Sequence, residues 1–126
     1  MITIKCYCGS LMNYSQCCEG YIKGVKKAVT AELLMRSRYS AYATQEVDYL
    51  IATTHPSERE YYSTEDILDW ARSNDWQKLE VIKSTDKTVE FKAYFLDAFG
   101  KDQIHHELST FKFENGSWFY VDGTFY

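Results

Sequence analysis

After Cys18 the chain contains no cysteine in its remaining 108 residues. That excludes a disulfide framework spread through the fold, and it leaves no thiol nucleophile in the bulk of the chain. Proline occurs once and glycine six times, too sparsely for a disordered or low-complexity tract. No apolar run approaches the roughly 18 residues of a bilayer-crossing helix, so no membrane span is expected. A Gly-rich phosphate loop and a Gly-x-Ser-x-Gly elbow are both missing, which removes the commonest phosphate-binding and serine-hydrolase signatures. Positive charge is also short, with 14 Lys and Arg against 18 Asp and Glu for a net charge of −4. Lys5, Lys23, Lys26 and Lys27 against Glu19 make residues 1–30 basic and leave the rest acidic. The body of the chain therefore repels polyphosphate, and four lysines are too small a footprint for a nucleic-acid partner.

All four cysteines lie at the start, spaced Cys6-x-Cys8-x8-Cys17-Cys18. Buried thiols serving only as small apolar residues would scatter along the chain. Met1-Ile2-Thr3-Ile4-Lys5 runs straight into the cysteines with no basic stretch and apolar leader. This points to the cytoplasm, where structural disulfides are rare. Two close thiol pairs instead predict one structural Zn2+ held by Cys6, Cys8, Cys17 and Cys18, a closed site with no position for substrate. Gly9-Ser10 suits the tight turn between the pairs, and Gly20 releases the chain after them. A knuckle this small has no core of its own, so chelation should unfold only the first ~20 residues.

Cys6-Tyr7-Cys8-Gly9-Ser10, Tyr14 and Cys17-Cys18 resemble the SEC-C motif, the zinc-binding element at the carboxyl end of the SecA translocation ATPase. Where many such elements carry glycine and lysines after Gly-Ser, this chain has Leu11-Met12-Asn13. Over nearly the whole chain, the stretch from Leu34 to Ala43, Asp48-Tyr49-Leu50, His55-Pro56 and Tyr120-Val121-Asp122-Gly123 resemble the YchJ-like family of uncharacterised bacterial proteins. The resemblance implies a SEC-C element followed by a nuclear transport factor 2-like domain, a cone of helices on a curved sheet. It implies no activity.

The residues themselves read as an α+β protein: a knuckle over residues 1–24 and a cone-shaped domain over 25–126. With 45 % apolar and 17 % aromatic content in 126 residues, the chain can bury one core. Tyr21 to Val29 reads as a linker. Thr30 is an N-cap, and Ala31–Gln45 carries Leu34, Met35, Tyr39, Tyr42 and Ala43 at helical spacing. A short helix is predicted over Glu46–Thr53, ended before Pro56, and a third from Ser63 to about Ser73, opened by Ser63 and Asp66. Beyond Trp76 the period changes to two. Turns at Asp86-Lys87, Gly100–Asp102 and Asn115-Gly116 then divide four strands into an antiparallel meander. Helices before a meander is an α+β order in its own right.

A cone open at one end is a natural pocket. On the third strand Glu107, Ser109, Phe111 and Phe113 share the face assigned to the concave side. Glu107 there is either a carboxylate whose pKa is raised by desolvation, or a structural partner of Arg36 or Arg38, the favoured reading. His55, before Pro56, is placed at the pocket mouth as an acid or base, or bonds a nearby carbonyl. His105 and His106 point to opposite sides of a strand, so they make no second metal site. Tyr39, Tyr42, Trp70, Trp76, Tyr94 and Trp118 fit core better than a stacking surface.

Two functions follow from these readings. The favoured one is a non-catalytic adaptor that docks a protein partner through the zinc knuckle. The alternative is a small-molecule binder or acid-base enzyme of isomerase or dehydratase type, by fold analogy. Its catalytic candidates are His55, Glu107 and Tyr94, and Arg38 joins them in the pocket to hold an anion. The uncovered sheet face is the route to a homodimer.

Overall fold

Thr30 is extended, at φ −139° and ψ 160°, and its hydroxyl accepts the Leu33 amide to start helix α2, Ala31–Ala43. Without that cap one of the first amides of the helix loses its partner. Thr30→Ala should therefore cost about 1 kcal/mol, read as a fall in melting temperature of about 4 °C in thermal denaturation. The residues at helical spacing, Ala31, Leu34, Met35 and Tyr39, are buried. Helix α3 covers Val47–Ala52, and α4 covers Thr64–Ser73 behind Ser63, whose hydroxyl accepts the Asp66 amide. Between them Pro56 opens a 3-10 segment, Pro56–Tyr61, because its missing N–H is no loss in a first turn. These coordinates are a computed structural model that describes residues 4–126. The start of the chain that was read as leaderless, Met1 to Thr3, lies outside that range.

Four strands follow: β1 Asp75–Ser84, β2 Thr88–Leu96, β3 Asp102–Glu114 and β4 Ser117–Phe125. They pair antiparallel in the order of the chain. Asn115 and Gly116 both take positive φ at the β3–β4 turn, as a type I′ hairpin requires. Register shifts between Trp76 and Lys78, Val81 and Lys83, and Thr110 and Phe111 bend the sheet, since a bulge sharpens the local twist. Helix α2 rests on β1, β2 and β4. Leu79, Val89, Ala93 and Phe111 pack there against Leu34, Met35 and Tyr39. This is the α+β arrangement that the order of elements predicts.

At the N-terminus Lys5 bridges to Asn13, and the Cys6 amide donates to the Met12 carbonyl at 2.7 Å. The segment read as a linker begins later than expected, because helix α1 spans Cys18–Ile22. Gly20 lies inside α1, where a Cβ would press on the Lys26 side chain. The chain is released at Gly24 instead: with φ +76°, it donates to the Tyr21 carbonyl while Val25 donates to that of Gly20, the double bond of a Schellman end. The four cysteines belong to the same buried cluster as Leu34, Met35, Tyr39, Leu79 and Phe111. The four cysteines thus pack into the main core, and local unfolding of the first residues alone is no longer the expected result of chelation.

Candidate functional site

Two places in the molecule gather chemistry. In the first, one ligand atom from each of Cys6, Cys8, Cys17 and Cys18 lies within 4.8 Å of all the others, and all four residues are buried. The Cys8–Cys17 and Cys17–Cys18 sulfurs are 3.7 and 3.9 Å apart. A tetrahedron with metal–sulfur bonds of about 2.3 Å has edges of about 3.8 Å, so the donor set fits one soft metal ion. Cys6 and Cys8 flank a turn closed by the Gly9 amide on the Cys6 carbonyl, with Gly9 at φ +82°. Cys17 and Cys18 come from the start of α1. Without a cation the thiols cannot all ionise: hydrogen bonds from Cys18 and Cys8 favour the Cys6 thiolate, and giving them pushes the Cys18 thiol up. Hydroxyls of Ser10 and Ser40 lie 3.2 and 3.6 Å from the sulfurs of Cys17 and Cys6, the outer partners that orient ligands. Arg36 Nη1 donates to the Cys8 carbonyl at 2.7 Å and Nε to Glu32 at 3.0 Å, which ties the turn to α2.

The second place is a hollow of about 200 Å³ between the helices and the concave face of the sheet. Its walls are aromatic, with Tyr39 and Tyr42 from α2, Trp70 from α4, and Trp76, Phe91 and Phe111 from the strands. Glu107 of β3 sits in it, 5 % exposed. One carboxylate oxygen accepts from His105 Nε2 at 2.7 Å; the other accepts from the hydroxyls of Ser109 at 2.6 Å and Tyr120 at 2.8 Å. Burial raises its pKa, but the bonds from His105, Ser109 and Tyr120 outweigh burial and leave it below the ordinary carboxylate value. Glu107 is therefore ionised at neutral pH. Tyr120 is fixed in turn: its amide donates to the Thr53 carbonyl, and its carbonyl accepts from the His55 amide, both at 2.8 Å. Burial and the facing Glu107 carboxylate push the Tyr120 phenol up, so it stays a donor. Gly123, paired with Ser109 across the ladder, lies against the Glu107 side chain so closely that a Cβ would overlap the carboxylate.

Arg38 and Glu107 line the hollow, as the sequence suggests; His55 and Tyr94 do not. His55 Nε2 bonds Glu114 at 2.9 Å and Nδ1 bonds Ser57 at 2.8 Å, with Phe119 against its ring. The His-Pro step caps the 3-10 segment and binds it to the far end of β3. Tyr94 donates to Glu80 on the opposite face, as the alternation of β2 requires, since Val89, Ala93 and Phe95 point inward. No arginine reaches Glu107: Arg36 serves the knuckle, while Arg38 Nη1 donates to Leu50 and Thr53 and its guanidinium stacks on Tyr120. Phe113 is 55 % exposed beside Trp118, past the register shift between Thr110 and Phe111. The residue missed by the sequence reading is His105. It lies two positions before Glu107, and strand parity alone puts both on one face. His106, on the other face, bonds Glu90. Trp76, Tyr39 and Tyr42, expected as filled core, are core on one side and cavity wall on the other, whereas Trp70 lines the hollow and is 42 % exposed.

The family model described as "YchJ, middle NTF2-like domain" matches residues 30–123. A UPF0225 protein of Geobacter sulfurreducens is 37 % identical over 97 % of this chain and 80 % of its own length. One from Vibrio vulnificus is 44 % identical over 96 % of this chain and 75 % of its own. Among solved structures, a SEC-C motif containing protein from Rhodopseudomonas palustris superposes with a TM-score of 0.88 at 35 % identity, over 96 % of this chain and 98 % of the other. A SEC-C motif protein from Psychrobacter arcticus gives 0.80 at 35 % identity, over 100 % and 84 %.

Proposed function

The chain belongs to the YchJ-like family of UPF0225 proteins, and on that premise we propose that it binds a small molecule in the hollow over β3, with a zinc-loaded knuckle bracing the helix that walls it. The observation that carries this reading is an ionised carboxylate, buried under three donors, at the wall of an aromatic cavity. A chain packing only for stability fills such space, because interiors close to crystal density. A dry cavity of about 150 Å³ accepts benzene, so a hollow of about 200 Å³ takes a planar molecule of one or two fused rings. Arg38 and Glu107 balance each other in its wall, which favours an uncharged ligand over an ion. Helix α2 supplies Arg38, Tyr39 and Tyr42 to the hollow and Arg36 and Ser40 to the knuckle. One zinc held by the four thiolates would close that end of α2 and take no part in chemistry; reduced thiols of this kind belong to a reducing compartment such as the cytosol. Trp70 and Trp76 in the wall provide the readout. Titration with uncharged single-ring aromatics should quench tryptophan fluorescence saturably and raise the melting temperature, whereas a flat response across such a set would remove the reading.

A second reading, the adaptor, is favoured by the rim of the knuckle, where Leu11 is 79 % and Met12 50 % exposed. Leu11 holds positive φ, 69°, which is costly for a branched side chain presented to water. Partners captured by the wild-type protein and lost with Leu11→Ser/Met12→Ser would support it, and identical partner sets would end it.

A further inference from the structure

Resting on the hollow as a binding site, we propose that His105 and Glu107 form a base dyad in which His105 Nδ1 takes a proton from a small, planar, uncharged carbon acid. The Glu107 carboxylate already accepts from the Ser109 and Tyr120 hydroxyls, so the geometry assigns the hydrogen of the neutral ring to Nε2, the nitrogen it faces at 2.7 Å. In the neutral ring Nδ1 is then the bare, basic nitrogen, and it bonds no described residue. The ring is held between Phe91, Phe125 and Trp70, with centroids 6.1, 5.4 and 6.5 Å away. A proton arriving on Nδ1 produces an imidazolium beside a carboxylate, which stabilises it as the acidic member of a Ser-His-Asp triad does. Ser109 and Tyr120 keep that carboxylate in place, so Glu107 is a positioning residue and His105 the catalytic one.

Charge left on the substrate has receivers in the lining of the hollow. Arg38 lines it, and so does Tyr42, whose phenol bonds no described residue and whose pKa is raised by burial, keeping its proton available for donation. In the step the C–H bond breaks, the proton goes to Nδ1, and the electron pair moves onto the substrate oxygen or ring heteroatom. The proton then returns to another position of the same molecule or to water. No oxidant, metal or co-reactant is required, so the reaction class is isomerisation or elimination by proton transfer.

The probe is 5-nitrobenzisoxazole, a neutral planar carbon acid: loss of its ring C–H proton breaks the N–O bond and releases a coloured cyanonitrophenolate. Wild-type protein should open it with saturation kinetics. His105→Ala should lower kcat about a hundredfold, and added imidazole should restore part of the rate. Glu107→Gln should lower kcat about tenfold with KM nearly unchanged. Tryptophan quenching reads binding separately. Saturable quenching with equal rates for wild type and His105→Ala overturns the dyad and leaves the binding site standing; absence of quenching overturns both. Nitrogen-15 NMR of the wild-type protein decides the matter even where a variant does not fold. In its neutral form His105 should be the Nε2–H tautomer, and an Nδ1–H tautomer would sink the proposal.

Discussion

Chelation of the protein should release one zinc ion per chain and lower the melting temperature of the whole domain by more than about 10 °C, not merely loosen its first residues. Structural zinc contributes roughly 10–16 kcal/mol of apparent binding free energy in small fingers, comparable to the full stability of a domain. A zinc bound by these four sulfurs would spread that free energy beyond the knuckle. The sulfurs share a core with Leu34, Met35 and Leu79, and Arg36 and Ser40 carry the contact into α2. Cys18→Ser, at a thiol 1 % exposed in the four-sulfur cluster, should act in the same direction. Metal analysis combined with calorimetry checks both: a metal-free chain with an unchanged melting temperature would refute the site.

Glu107→Ala should destabilise the protein by about 3–5 kcal/mol, the usual loss when a buried charge network is broken. Glu107→Gln should cost about 2 kcal/mol, because an amide cannot accept from all three donors. The pH dependence carries its own sign. The folded pKa of Glu107 lies below its ordinary value, so the unfolded state binds the proton more readily. The stabilisation is complete above the unfolded carboxylate value, about 4.3, and is lost as pH falls through the lower folded value. Glu107→Gln should therefore flatten the acid limb of a stability profile. Gly123→Ala should reproduce much of the loss at neutral pH, since its methyl group needs the space of the carboxylate. Denaturant unfolding between about pH 3 and 7 tests all three variants, and parallel acid limbs for wild type and Glu107→Gln would refute the assignment.

The local features were legible because they rest on short-range rules. Thr30 and Ser63 cap helices, Asn115-Gly116 turns a hairpin, and Cys6 to Cys18 gather four sulfurs through one turn and one helix start. Tyr94 was misplaced for want of a rule already in hand, as the alternation of β2 excludes it from the side of Val89 and Ala93. His105 was equally within reach, two residues from Glu107. What no local pattern held was the third donor to Glu107, Tyr120: it comes from β4 rather than from the arginines of α2, and the choice depends on register and on the bulge beyond Thr110.

The sequence by itself determined the three helices and four strands from Ala31 onward, their order and the gathering of four cysteines at one end, because capping, period and cysteine spacing act within a few residues. Only the tertiary structure decided that the knuckle shares the main core, that His55 bonds Glu114 outside the hollow, and that Tyr120 of β4 closes on Glu107 in an aromatic hollow. Those outcomes depend on which distant faces come within 3 Å of one another, a distance set by sheet curvature and helix placement rather than by any neighbour in the chain.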